Sequence, residues 1–180
     1  GAISAEAQSS EEAVVIDGAQ MTHSLSPMYR LLILGAGDVA KFVAEMAIAL
    51  EYDVMLCDPR PNYLDNWYVP GVETTAQLPD DVVRERFSNP YSGIIALAHD
   101  PRVDDMALME ALKTNAFYIG AMGSVKTSAA RRERLPELGL SFDEIDRLHA
   151  PIGFQINSKT PAEIAISVMA EITSVRYQQK

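Results

Sequence analysis

The chain has 180 residues, 48% of them hydrophobic and 22% charged, which is typical of one globular domain with a sizeable core. The net charge of −10 argues against a general nucleic-acid or anionic-membrane binder, and no apolar run approaches the length of a membrane span. The single cysteine, Cys57, excludes a disulfide framework, and residues 1–12 lack the charged and apolar regions of a signal peptide. We therefore expect a cytoplasmic protein.

The first 29 residues carry little pattern. Residues 1–12 are small and polar and are expected to be disordered or residual. Residues 13–17 fit a short strand whose partner the sequence does not identify, and residues 18–29 read as a serine-containing linker. We therefore divide the chain into an N-terminal linker or remnant of a missing domain (1–29) and a Rossmann-like domain (30–180).

A glycine turn between two apolar runs is the strongest local signal. The apolar run 31–34 ends at Gly35-Ala36-Gly37-Asp38-Val39-Ala40, and apolar residues then recur at helical spacing as far as Leu50. A second apolar run, 53–57, ends at Asp58. Strand, G-x-G-x-x-A turn, helix, strand and distal acid together predict the first βαβ unit of a Rossmann fold.

The remaining pattern alternates in the same way. We predict a loop at 59–71, strands near 72–74, 92–98 and 116–119, and helices near 79–86 and 103–112. An arginine-rich helix follows residue 124, Ser141/Glu144 and Thr160/Glu163 fit capping boxes, and residues 164–172 form a last amphipathic helix. The fold class predicted is α/β, a doubly wound, mostly parallel, three-layer sheet.

Ligands of such sheets sit at the carboxyl ends of the strands, and four strand ends should converge on one crevice. At the first glycine turn we favour a nucleotide-like or other phosphate-bearing ligand over an empty turn, because backbone amides at a helix N-terminus bind anions. The candidate binding residues there are Gly35, Ala36, Gly37, Asp38 and Val39. Asp58 fits equally well a ribose contact and an Asx-turn into Pro59.

The other strand ends supply further candidates. His99 ends a strand and is favoured as a site residue over a structural histidine, whereas His149 fits either role. A second glycine turn gives Gly120, Gly123 and Ser124 as another possible anion nest. The basic run after it contains Lys126 and Arg131, and we expect it to provide a phosphate-binding cation rather than only a solvated helix face.

Several motifs of metal binding and catalysis are missing from the sequence, which argues against the functions that depend on them. It contains no His/Cys metal cluster, no P-loop, no G-x-S-x-G motif and no pair of carboxylates at an acid/base spacing. We therefore predict no metal site and name no catalytic residue.

The combined motifs resemble the C-terminal domain of the XdhC/CoxI family, accessory factors in the maturation of molybdenum hydroxylases such as xanthine dehydrogenase. The resemblance covers about residues 30–175. The blocks that carry it are Leu32–Ala40, Asp58–Pro61, Ala98–Pro101, Phe117–Ser124, His149–Gly153 and Lys159–Ala165, in the family's order. Two features depart from the family: Asp38 stands where members often have histidine, and the usual N-terminal domain is not seen in residues 1–29.

The resemblance implies a chaperone that binds the molybdenum cofactor (molybdopterin) and delivers it to an apo molybdenum hydroxylase. As further partners we expect a cofactor-sulfurating enzyme and a second copy of the chain, and the net charge and apolar runs described above give no nucleic acid and no membrane. From the residues alone, an NAD(P)-dependent oxidoreductase and a nucleotide-sensing module stay open as alternatives, and Asp58 would then favour NAD over NADP.

Overall fold

The computed structural model of the chain describes residues 13–17, 20–24 and 27–178, and the expectation for residues 1–12 lies outside these ranges. The first described elements are two strands, β1 (Ala13–Asp17) and β2 (Gln20–Ser24), which pair antiparallel. Residues 13–17 thus form the predicted strand. The prediction of a linker over 18–29 is wrong at residues 20–24, because this segment is the pairing partner that the sequence pattern did not reveal.

The remaining strands form one parallel sheet of six, as the alternating pattern predicted. They are β3 (Arg30–Leu34), β4 (Asp53–Cys57), β5 (Glu73–Thr75), β6 (Ser92–Ala96), β7 (Tyr118–Ala121) and β8 (Leu148–His149). Their order across the sheet is β5-β4-β3-β6-β7-β8, so the chain winds outward in one direction from β3 and in the other from β6.

Helices cover both faces of the sheet. They are α1 (Asp38–Ala49), α2 (Pro79–Arg86), α3 (Pro101–Ala111), α4 (Val125–Arg134), α5 (Phe142–Asp146) and α6 (Pro161–Gln178), with a 3₁₀ turn at Leu135–Leu138. Helices α1 and α6 pack together on one face, and α2 and α3 pack together on the other. The predicted three-layer α/β architecture is therefore confirmed.

Successive side chains along a strand point to opposite faces of the sheet and so enter two different cores. Leu31 and Ile33 point into the core under α1 and α6, whereas Leu32 and Leu34 point into the core under α2 and α3. All four side chains are fully buried, as expected for a strand that lies inside a parallel sheet.

Local signals placed the starts of several helices correctly, although the last helix runs to Gln178, beyond the predicted residue 172. The Ser141/Glu144 capping box at the start of α5 is complete, and Thr160 and Glu163 exchange the equivalent bonds before α6. The pattern missed β8, which has only two residues, and predicted β7 about two residues early. Within the described ranges no helix is both long enough and apolar enough to cross a membrane.

Candidate functional site

The site lies at the carboxyl ends of β3 and β6, where the winding of the sheet reverses. The loop after β3 begins α1, and the loop after β6 begins α3 on the opposite face. Two neighbouring strands whose connections leave in opposite directions open a crevice between their loops. Strands β4 and β7 flank this pair, so the four strand ends named in the sequence analysis lie side by side at one edge of the sheet.

The two glycines of the first turn serve different purposes. Gly35 has φ +99°, and a Cβ there would lie 2.4 Å from the Ala98 Cα, so the loops after β3 and β6 touch only because Gly35 has no side chain. Gly37 is the N-cap of α1, and a Cβ built on it meets no atom within 4 Å. The start of α1 therefore faces open space and carries no side-chain cap, which leaves backbone amides for an anion.

Asp58 is fully buried and bonded to protein donors. Its Oδ2 accepts hydrogen bonds from the Ala36 amide (2.8 Å) and Arg60 Nη2 (2.7 Å). Its Oδ1 accepts from the Arg60 amide (3.1 Å) and Nε (2.9 Å). The bond to the amide two residues on is the Asx-turn that the sequence offered as one interpretation. In this geometry the carboxylate positions the glycine turn and Arg60.

Arg60 is the cation of this crevice, and sequence reasoning missed it. Besides the bidentate pair with Asp58, its Nη1 donates to the Ala98 carbonyl at 3.2 Å, and its guanidinium lies 3.7 Å from the ring centroid of Tyr63. The side chain is 18% exposed and bridges the loops after β4 and β6. Since each terminal guanidinium nitrogen carries a pair of N–H groups, both retain a donor for a ligand.

The pair also fixes the charge states. Burial by itself raises the pKa of Asp58, but hydrogen bonds from Arg60 and from the Ala36 amide outweigh it and hold this pKa below its usual value. The Asp58 carboxylate in turn raises the pKa of Arg60. Asp58 and Arg60 therefore form an ion pair that stays charged at neutral pH, and the carboxylate of the pair is buried.

His99 and Asp100 form the rim on the β6 side. His99 is exposed and adopts φ +55°, a left-handed conformation that costs a non-glycine residue about 1–3 kcal/mol. Asp100 caps α3 by accepting from the Arg102 amide at 3.0 Å. His99 is thus an exposed residue in the loop after β6, in a strained conformation, and its role as a site residue stays a prediction.

Arg131 lies beneath the rim in a buried ion network. It is 5% exposed, and its Nε donates to Asp105 at 2.9 Å while its Nη1 reaches the Met122 carbonyl at 3.4 Å. Its Nη2 lies 3.5 Å from Asp104 Oδ2, an oxygen that has no hydrogen-bond partner. Arg131 therefore holds the loop after β7 in place through the Met122 carbonyl, and in this geometry it has a structural role beneath the site.

Asp104 connects this network to the crevice. Its Oδ1 accepts a hydrogen bond from the Ala98 amide at 3.1 Å, directly below the loop that touches Gly35. Burial raises the pKa of Asp104 to about 6, despite the opposing hydrogen bond from Ala98 and the nearby charge of Arg131.

The second glycine turn divides into structural and exposed parts. Gly120 lies inside β7, where a Cβ would meet the Ile152 side chain at 2.6 Å, so its role is close packing. Gly123 precedes Ser124, which caps α4 by accepting from the Thr127 amide at 3.1 Å. Of the predicted cations, Lys126 is exposed beside this turn. By contrast, Arg132 donates to the carbonyls of Ile145 and Leu148.

His149 belongs to a polar cluster at the edge of the sheet. Its ring stacks on Tyr118 with 4.6 Å between centroids, and its Nδ1 lies 3.5 Å from Glu171. Glu171 also accepts hydrogen bonds from the Tyr118 hydroxyl and the Gly153 amide. Burial and the bond to Glu171 raise the pKa of Tyr118. This cluster fixes the segment after β8, which supports the structural interpretation of His149.

Two further kinds of site are metal centres and reactive cysteines. The part of the chain that the structure describes holds no group of three or more His, Cys, Asp or Glu residues that could bind a metal ion. Cys57 is buried, and burial followed by the nearby Asp58 charge raises the pKa of its thiol to about 12, which keeps it protonated and inert.

A parallel doubly wound sheet with a glycine turn at its switch point defines this chain as a Rossmann-type α/β domain. Within that class, residues 31–172 match the model of the XdhC Rossmann domain, and the chain belongs to this family. The resemblance inferred from the sequence blocks is thus confirmed.

Named relatives agree with this assignment. The chain is 31% identical over 154 residues to the "Molybdenum cofactor insertion chaperone PaoD" of Escherichia coli, covering 86% of this chain and 42% of that protein. It is 28% identical to a probable xanthine dehydrogenase subunit of Bacillus subtilis, covering 84% and 44%. The crystal structure of a protein described as a xanthine dehydrogenase from Bacillus halodurans superposes with TM-score 0.73 at 28% identity, covering 89% and 46%. The chain thus spans less than half the length of these relatives.

Proposed function

We propose that this chain binds the molybdenum cofactor at the β3–β6 crevice and delivers it to an apo molybdenum hydroxylase. Membership of the XdhC family carries the proposal, supported by the name of the chaperone relative in Escherichia coli. The cofactor is cargo in this proposal: its metal chemistry serves the client, and this chain's residues bind and shield it.

The residues of the crevice fit such a cargo. Molybdopterin has a flat heterocycle and a phosphate arm, and the phosphate needs donors and positive charge in a space free of side chains. A Cβ on Gly37 would meet no atom within 4 Å, and the first turn of α1 offers backbone amides beside the Asp38 carboxylate, while Arg60 supplies a guanidinium with free donors. Lys126 adds an exposed charge at the neighbouring turn.

The same geometry disfavours the dehydrogenase alternative. An NAD-binding acid needs a carboxylate free to accept from ribose hydroxyl groups. Both oxygens of Asp58 accept from Arg60, and Oδ2 also accepts from the Ala36 amide. A ribose would have to displace a buried ion pair.

The proposal extends to partners. We infer an apo hydroxylase as client, a cofactor-sulfurating enzyme upstream, and self-association of the chain. Because the match covers only 42% and 44% of these two relatives, delivery by this chain alone is itself part of the proposal. Light scattering of the purified chain across a dilution series tests the self-association.

The central experiment adds cofactor-loaded chain to a cofactor-deficient molybdenum hydroxylase and measures recovered activity. We expect a gain with the unmodified chain and a loss of most of that gain with Gly37→Val, since a branched side chain would fill the space at the start of α1. Ala49→Val, on the exposed far end of the same helix, is the matched control. Substrate-dependent oxidation of NADH, abolished by His99→Ala, would instead establish the dehydrogenase.

A further inference from the structure

A second cavity lies beyond the end of β7, separate from the first glycine turn. Its volume is about 270 Å³, and it opens between the Met122–Gly123 turn and the segment that leads from β8 to α6. Its walls combine apolar, carboxamide and hydroxyl side chains. They include Met122, Phe154, Gln155, Ile156, Asn157 and Ser158.

The segment that forms the outer wall is fixed at both ends. Ile152 donates its amide to the Ala121 carbonyl at 3.0 Å, and Phe154 donates to the Ser167 carbonyl at 3.2 Å. Gly153, with φ +89°, packs so closely on α6 that a Cβ would lie 2.5 Å from Ser167 Oγ. At the other end, Glu163 accepts from the amides of Lys159 and Thr160. The wall is therefore preformed.

This fixed segment presents apolar side chains to solvent at the cavity. Phe154 is 45% exposed and Ile156 is 49% exposed, although both border a concave space. Exposed apolar groups held rigidly around a cavity, with a few convergent polar groups, are typical of a site for a small organic ligand. Gln155 and Asn157 each carry both a donor and an acceptor on one planar amide.

The cavity and the start of α1 share one side of the sheet. Ala36, Val39, Met122 and Ile164 all pack against the core under α1 and α6, so the two places border the same core. Strand β7 is two positions from β3, which separates their ends by about 10 Å. That distance is comparable with the length of a pterin that carries a short phosphate arm.

We propose that the cavity formed by Met122, Gly123 and residues 152–158 binds the aminopyrimidinone ring of a pterin. The inference rests on the proposed function and extends it, because it separates a ring subsite at β7 from the phosphate subsite at α1. Phe154 packs on the flat face of the ring, and the carboxamides of Gln155 and Asn157 bond to its donor and acceptor edge.

The test uses 6-hydroxymethylpterin, which carries the ring without a phosphate, in a fluorescence titration. We expect saturable binding to the unmodified chain and roughly tenfold weaker binding for Phe154→Ala, the scale of one lost stacking contact. Gln155→Leu should weaken it by a similar factor. Phe142→Ala and Gln178→Leu, exposed on α5 and at the end of α6, are the matched controls and should bind as the unmodified chain does.

Two further measurements separate this inference from the proposed function. Gly37→Val should leave the affinity for 6-hydroxymethylpterin unchanged, because this probe lacks the phosphate. Circular dichroism should show unaltered folding for the Phe154 and Gln155 variants, whose side chains are exposed.

The hydroxylase activation assay is run on the same preparations. Activation by the unmodified chain, together with no pterin binding or with binding indifferent to both substitutions, would overturn the ring subsite and leave the delivery function standing. Pterin binding that depends on Phe154, without activation, would support the ring subsite and overturn delivery.

Discussion

At the scale of single residues, the pair of Asp58 and Arg60 sets the character of the crevice. Breaking a buried ion pair by removing one partner typically costs about 3–5 kcal/mol, because the other charge stays buried and uncompensated. We expect Arg60→Met to destabilise the fold by roughly that amount at pH 7, since Asp58 is fully buried. Adding Asp58→Asn should restore part of the loss, measured by urea unfolding as a double-mutant cycle.

The coupling between these residues should also depend on pH. Because the folded-state pKa of Asp58 is lowered, its stabilising contribution is present above the unfolded pKa of ~3.9 and is lost as pH falls through the folded value. The coupling energy from the same double-mutant cycle should therefore approach zero below the folded-state pKa of Asp58. A coupling energy that stays constant down to acid pH would show that it does not depend on the charge of Asp58.

Asp104 should show the opposite dependence. Its folded pKa of about 6 exceeds its unfolded value, so the stability that it contributes is present below the unfolded pKa and is lost as pH rises through about 6. Asp104→Asn removes the titration and can keep the bond from the Ala98 amide. Relative to the unmodified chain, this variant should therefore gain about 2–3 kcal/mol between pH 4 and pH 7.

Urea unfolding at several pH values measures this gain. Asp143→Asn, at an exposed position on α5, makes the same substitution outside the buried network and is measured alongside it. A flat difference between Asp104→Asn and the unmodified chain would mean that Asp104 is ionised throughout this range.

At the scale of elements, the two glycines of one turn give a matched comparison. Gly35→Ala should destabilise the fold by roughly 1–3 kcal/mol, because its Cβ would enter the loop after β6 at a strained φ. Gly37→Ala should leave stability within about 0.5 kcal/mol, since its surroundings are open and its φ of −111° suits any residue. Thermal unfolding of both variants measures the contrast, and equal losses would contradict it.

The elements also show what a sequence pattern can predict. Periodicity placed β3, α1 and β4 because apolar spacing there follows local geometry, and the glycine turn was located by its residues alone. Arg60 was missed because the Rossmann motif used for the prediction ends at Asp58. The residues around Arg60 do not show that its guanidinium reaches the carbonyl of Ala98, 38 residues further on.

The prediction for Arg131 and the failure to predict β8 have the same cause, because both depend on contacts between distant parts of the chain. Arg131 was predicted to contact ligand, yet its pairing with Asp105 depends on how α3 and α4 pack, which a run of basic residues does not encode. Strand β8 is too short to show alternation and exists only as a partner of β7. Contacts between distant parts of the chain thus decide which candidates face the crevice.

At the scale of the whole molecule, one sheet is shared by two cores. Leu108 belongs to the core under α2 and α3, and Val168 to the core under α1 and α6. Since strand residues alternate between the two cores, we expect the whole domain to unfold in one cooperative transition. Leu108→Ala and Val168→Ala should each lower the free energy of unfolding by about 2–4 kcal/mol, and the urea m-value should stay unchanged. Leu138→Ala, at a half-exposed position, is the control. Separate transitions for the two variants would contradict this coupling.

The contact between Gly35 and Ala98 has a kinetic consequence. The loops after β3 and β6 meet without any side chain between them, and Arg60 joins the second loop to the end of β4. The walls of the crevice are thereby clamped to one another, so a bound molecule leaves along the open rim and not through the parting of two halves. Under the proposed delivery function, the residence time of the cofactor is then set by its direct contacts with the crevice, and a client protein would take it at the rim.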